Sequence, residues 1–263
     1  MLAVPREQEL DIVRLLKAQV RSFRCVEDSE EFSLADVTCL VGKNESGKTA
    51  ILKALHKLKP EDEEEEQFEA SRDYPRRRWL PGKEIPTDPP AITTRWQLDE
   101  AEHNKLEEHF GRGALPYKEF TVSKGYDNER VFEIAVKETP VVKHVVAVAA
   151  LSDEEQKPIA DAQTMEAVRK GLEALATPSA PQQSLLDRAR TEFGDGVEET
   201  VIAAVEELMP TFLYFADYQR LAGQVSIDEL VKRKAQGKLT NKDRILSWSG
   251  RDDPRTVTSQ PHV

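Results

Sequence analysis

The run Gly42-Lys43-Asn44-Glu45-Ser46-Gly47-Lys48-Thr49 matches the phosphate-loop pattern G-x-x-x-x-G-K-[ST] at every fixed position. Each fixed residue type has a physical duty in holding a triphosphate. Gly42 and Gly47 permit a tight backbone path. Backbone N–H groups of the loop and of the helical turn that follows it, through Ala50, point inward at phosphate oxygens, aided by the helix dipole. Lys48 places its ammonium between the β- and γ-phosphates and is the residue expected to act catalytically, by stabilising charge on the transferring phosphoryl group. The Thr49 hydroxyl is the expected Mg²⁺ ligand. The pattern predicts ATP and Mg²⁺ as ligands.

Such a loop must be carried between a buried strand and a helix. Residues 37–41 read Val-Thr-Cys-Leu-Val, a short apolar and β-branched run that predicts the strand. After the loop, Ala50, Ile51, Leu52, Ala54, Leu55 and Leu58 fall on a 3.6-residue period, which predicts the helix. Strand, glycine loop and helix in this order predict an α/β P-loop NTPase fold.

Composition narrows the remaining classes. A chain of 263 residues with 39% hydrophobic and 32% charged side chains can bury a sizeable core under a polar surface. No stretch of about 18 apolar residues suggests a membrane span, and the first ten residues lack the apolar core of a signal peptide. A cytoplasmic location is the expectation. The net charge of -11 disfavours non-specific nucleic-acid binding by the chain as a whole, while leaving room for a local basic face. Cys25 and Cys39 do not make a metal-ligand spacing, and the acidic run at 61–66 reads as a solvated loop.

Along the chain, residues 12–23 read as a helix-to-strand lead-in, and 31–34 as a second short strand. Residues 59–90, rich in Pro, Asp, Glu and Arg, read as a long irregular segment. A strand is expected over 91–98, then a helix opened by Asp99 and Glu102 and running to Phe110. A strand pair is expected over 119–123 and 130–136 across the turn Gly125-Tyr126-Asp127-Asn128. Residues 141–150 suit strand or helix equally. Helices are expected over 165–176 and 197–209, with Pro178 and Pro181 punctuating the gap between them. A strand over 211–218 and a helix over 226–235 complete the reading, before a polar tail at 247–263.

The segment Val20-Arg21-Ser22-Phe23-Arg24, the short strand at 31–34 and the loop at 42–49 resemble the opening of RecF/SMC-like ATPases, particularly the OLD-family ATP-dependent endonucleases. The stretch Asp73-Tyr74-Pro75-Arg76, the strand ending Trp96-Gln97-Leu98-Asp99 and residues 212–218 with Gly223 extend the resemblance over most of 12–245. It implies the N-terminal part of an ABC/SMC-like head with a mixed sheet and an inserted helical segment. It also implies dimerisation around ATP, DNA as a partner, and Arg24 as a further nucleotide contact. A Walker B strand, a signature motif and a Toprim nuclease are implied too, and the sequence carries none that can be recognised. The expectation is a head incomplete on its C-terminal side, as a truncated or frameshifted gene would give.

Several residues keep two readings. Arg24 suits a phosphate contact or an edge arginine. Gln97 is comparable to a Mg²⁺-sensing glutamine, or is an ordinary residue before a helix. Arg76, Arg77 and Arg78 with Tyr74 and Trp79 suit contact with nucleic acid, unless Asp73 and the acidic run neutralise them. His56, His103, His109, His144 and His262 form no triad or metal spacing. Besides an ATPase, the chain suits an ATP-binding module that acts through a partner without turnover, or a small-molecule kinase.

Overall fold

The computed structural model describes residues 13–44, 46–61, 67–79, 89–214 and 232. The chain divides into two compact units, Met1–Leu213 and Tyr214–Val263, and the elements below belong to the first. The expected helix at 226–235, the tail at 247–263 and most of the strand at 211–218 lie outside the described residues.

Strand β1 (Arg14–Phe23) is the spine of a six-stranded sheet. It is extended from Arg14 onward, which corrects the helical start expected for 12–23: pairing with neighbouring strands overrides local pattern. One edge of it pairs with β4 (Ile92–Gln97), in register from Arg14↔Gln97 to Val20↔Ile92. Its other edge carries β2 (Val26–Asp28) and β3 (Phe32–Ser33). Beyond β4 follow β5 (Glu119–Lys124) and β6 (Arg130–Glu133). Every pairing between these strands is antiparallel, and the parallel component is one bridge, Pro60 with Phe212.

Alternation explains which face of the sheet is covered. Ile92, Thr94 and Trp96 on β4 and Phe120, Val122 and Lys124 on β5 turn inward as cross-strand pairs. Trp96 is wholly buried, stacks on Phe120 at 6.4 Å between centroids, and donates its indole N–H to Thr94 Oγ1 at 2.9 Å. Helix α1 (Lys48–Leu58) buries Ala50, Ala54, Leu55 and Leu58 of the periodic face expected from sequence and packs on β1 and β4, while Ile51 is half-buried and Leu52 turns out to solvent. After it, α2 (Ala70–Asp73) is a single turn within the stretch expected to be irregular.

The remaining helices are α3 (Glu100–Phe110), α4 (Glu138–Val148), α5 (Asp153–Gln156), α6 (Met165–Glu173), α7 (Ala180–Thr191) and α8 (Val197–Leu208). Asp99 caps α3 in a reciprocal box with Glu102, as the acidic start suggested. The ambiguous run at 141–150 falls on α4, because Val141, Val142 and Val145 sit on one helical face and are buried there. Helix α7 corrects the reading of the proline-marked gap. Pro181 stands in its first turn, where the missing N–H costs nothing, behind a Ser179/Gln182 capping box. At the end of α8, Lys59 Nζ donates to the carbonyls of Glu206 (2.5 Å) and Met209 (2.8 Å). A cation on the last carbonyls of a helix is the favoured arrangement.

The strand expected at 37–41 is absent from the sheet. Val37 and Val41 are each 90% exposed, and the run carries no strand pairing. Its N-terminal side is held by side chains: Asp36 pairs with Arg14 at 3.1 Å, and the Thr38 hydroxyl accepts the Ala35 N–H at 2.9 Å. A β-branched run becomes a strand only where a neighbour offers its N–H and C=O groups. Here β2 and β3 take that edge of β1.

Candidate phosphate site at the start of helix α1

The loop enters α1 through Gly47, whose φ of +93° is a left-handed conformation that side chains rarely adopt. Space demands glycine there as well. A Cβ on Gly47 would lie 2.9 Å from Val26 Cγ2 and 3.6 Å from Cys25 Sγ, so the β1–β2 turn backs directly onto the loop. A Cβ on Gly42 would come within 2.8 Å of Ser46 Oγ.

Helix α1 starts without a side-chain cap and without an acidic residue in its first turn. The amides of Lys48, Thr49 and Ala50 therefore have no intrahelical acceptor, as in any first turn, and none from a capping side chain. In α3 and α7 that duty falls to Asp99 and Ser179. Lys48 Nζ donates to the carbonyls of Gly42 at 2.8 Å and Lys43 at 2.5 Å, and lies 3.3 Å from Ser46 Oγ. Uncapped amides, a helix dipole and an ammonium thus lie together at the start of α1, a combination that suits phosphate oxygens. Thr49, the second residue of the helix, is exposed, and its hydroxyl is of the oxygen type that ligates Mg²⁺.

Of the sequence-derived site residues, Gly42, Lys43, Asn44 and Ser46 are exposed, Gly47 and Ala50 are buried, and Lys48 is half-buried. Glu45 lies outside the described residues. Arg24 is half-buried one residue from Cys25, close to the loop. Gln97 is not brought to it. That residue pairs with Arg14, at the opposite end of β1 from Phe23 and roughly 30 Å away at the usual rise per residue.

Sequence reasoning missed Asp73 and Lys57 as part of this region. Both are buried, with Asp73 Oδ1 2.9 Å from Arg24 Nε and Oδ2 3.4 Å from Lys57 Nζ. Lys57 also donates to the Gln67 carbonyl and lies over the Phe68 ring. A lysine late in a helix and an aspartate in an irregular segment carry no local signal of meeting. The Tyr126 hydroxyl donates to the Ser22 carbonyl at 2.6 Å. Burial, with the Asp73 carboxylate adding to it, pushes that phenol well up from its ordinary range.

The arginine run divides. Arg78 reaches Ser22 Oγ at 3.2 Å and Glu27 at 3.5 Å, while Arg76 and Arg77 are exposed. Asp73 faces inward, and residues 62–66 of the acidic run lie outside the described residues. His103 meets the Leu115 carbonyl at 3.0 Å and His109 meets Glu192 at 3.1 Å, so both are occupied away from the loop. Among the described residues no cluster of three or more His, Cys, Asp or Glu gathers as a metal site, and no helix is long and apolar enough to cross a membrane.

Residues 14–195, well over half of the 263-residue chain, match the model of the AAA ATPase domain. No curated protein matches the chain.

Proposed function

Because the chain belongs to the AAA ATPase domain family, a class of nucleotide-binding ATPase modules, we propose that it binds ATP with Mg²⁺ at residues 42–50. The observation that carries the reading is the uncapped start of α1 beneath a glycine loop whose own lysine is folded onto it. In this reading Lys48 leaves the Gly42 and Lys43 carbonyls and transfers its hydrogen bonds to the β- and γ-phosphates. The amides of residues 44 and 46–50 orient the phosphates, and Arg24 adds a second cation from the β1–β2 turn. Thr49 holds Mg²⁺, which supplies charge neutralisation at the phosphate oxygens.

The wider setting we infer is an ABC/SMC-like head of the kind found in OLD-like DNA-processing or defence ATPases. Its support is the Phe23-Arg24 lead-in and the phosphate loop, together with the family match. A homodimer around ATP and DNA as a partner belong to the same inference.

The test is ATP binding and turnover by the purified chain with Mg²⁺, beside Lys48→Ala. Losing a hydrogen-bonded charge should weaken ATP binding by about tenfold to a hundredfold. Thermal stability should hold, since among the described residues Lys48 bonds only its own loop. Equal ATP affinity in the two proteins would refute the site. Binding without turnover would identify a nucleotide-binding module that acts through a partner.

A further inference from the structure

Asp73 is a buried charge that the phosphate site, as described so far, does not use. Its carboxylate is wholly inaccessible, yet three cations surround it: Arg24 at 2.9 Å, Lys57 at 3.4 Å and Arg72 at 3.8 Å. The Glu69 N–H adds a longer contact at 3.3 Å. The backbone repeats the link, because Arg24 N–H donates to the Asp73 carbonyl at 2.5 Å. Arg24 is therefore held by the same residue through main chain and side chain.

The turn so held is strained. Ser22 and Arg24 have φ of +47° and +55°, left-handed values that are unfavourable for a non-glycine residue. Such conformations persist where the surroundings over-determine them, and they concentrate at functional sites. Here Tyr126 holds the Ser22 carbonyl, Arg78 holds the Ser22 hydroxyl, and Asp73 holds Arg24. The next two residues, Cys25 and Val26, press on Gly47 of the phosphate loop.

With its Nε on Asp73, Arg24 presents its two terminal nitrogens as a fixed fork, and among the described residues neither has an acceptor. The side chain is 27% exposed, and its guanidinium carbon lies 5.2 Å from the centre of the Phe23 ring, a second constraint on its orientation. A guanidinium anchored in this way is pre-organised for an oxyanion.

We propose that Asp73 is a positioning residue for the phosphate site, fixing Arg24 so that its terminal nitrogens meet the phosphates held by residues 42–49. This rests on the ATP-binding reading above. Lys57 completes the device by tying Asp73 to α1, the helix that the phosphate loop opens.

The experiment is a double-mutant cycle on ATP affinity in the full chain: wild type, Arg24→Ala, Asp73→Asn and the pair. Each single change is expected to weaken binding about tenfold, and the pair no more than either alone, because Asp73 acts through Arg24. Asp73→Glu, which keeps the carboxylate, is expected to recover part of the loss. Additive losses overturn the proposal. So does an Asp73→Asn protein whose melting temperature falls while its ATP affinity holds, since that marks a purely structural ion pair. If Asp73→Asn does not fold, Arg24→Lys decides: it keeps the charge without the fork, and wild-type affinity in that variant overturns the proposal. A wild-type chain without ATP affinity overturns both readings. Binding lost with Lys48→Ala and kept with Arg24→Ala overturns this one alone.

Discussion

Strand β4 and the run at 37–41 are close relatives in composition and opposites in structure. Both are short and rich in β-branched and apolar residues. Strand β4 is paired on both sides, by β1 and β5, and buries Ile92, Thr94 and Trp96. The run at 37–41 has no strand partner and exposes Val37 and Val41. The difference teaches that strand propensity is a demand for neighbours rather than a conformation. It also separates two kinds of support. The sheet rests on packing, whereas the phosphate loop rests on glycine geometry, the backing of Val26 and the bonds of Lys48.

The sharpest way to break this comparison is Trp96→Ala. It empties a fully buried indole position between Phe120 and Phe212 and should cost about 3–5 kcal/mol in urea unfolding. A loss near zero would mean that the sheet is not the structural base. Next comes a matched pair of valines. Val122→Ala should cost about 2 kcal/mol because the side chain is fully buried, and Val41→Ala should stay within about 0.5 kcal/mol. Equal costs in the two variants would erase the contrast between the regions.

The smallest expected effect tests polar groups inside the packed region. Burial raises the Glu102 carboxyl above its ordinary 4.5, although the Asp99 N–H pulls it back. A raised folded value means that the stabilising contribution is full below 4.5 and is lost as the pH rises through the folded value. The ionised side chain is thus a burden near neutrality. Glu102→Gln keeps an acceptor for the capping box without the charge. The melting temperature should rise slightly at neutral pH and match wild type in acid. A variant that is less stable at neutral pH would show that the charge stabilises α3.

Much of the scaffold was legible residue by residue. The run at 91–98 and the turn at 125–128 located β4, β5 and β6, and Asp99 with Glu102 located the start of α3. Helix α7 was hidden because proline reads as a breaker until its position in the first turn is known. The run at 37–41 misled because local composition does not say whether an edge of β1 is already taken. Gln97 looked close to the site in sequence terms, and the register of β1 with β4 sends it to the far end of the sheet.

The sequence by itself carried the glycine-loop pattern on which the proposed phosphate site rests, because glycine, lysine and threonine at fixed spacing fall within eight consecutive residues. It also determined the helix that follows, since a 3.6-residue apolar period needs no distant partner to be read. Only the tertiary structure decided the setting of that loop. Arg24, Lys57 and Asp73 lie far apart in the chain, and a buried carboxylate gains its partners through the packing of the turn, the helix and the irregular segment together. Charge pairing of that kind depends on distance and burial, and neither quantity is written in local order.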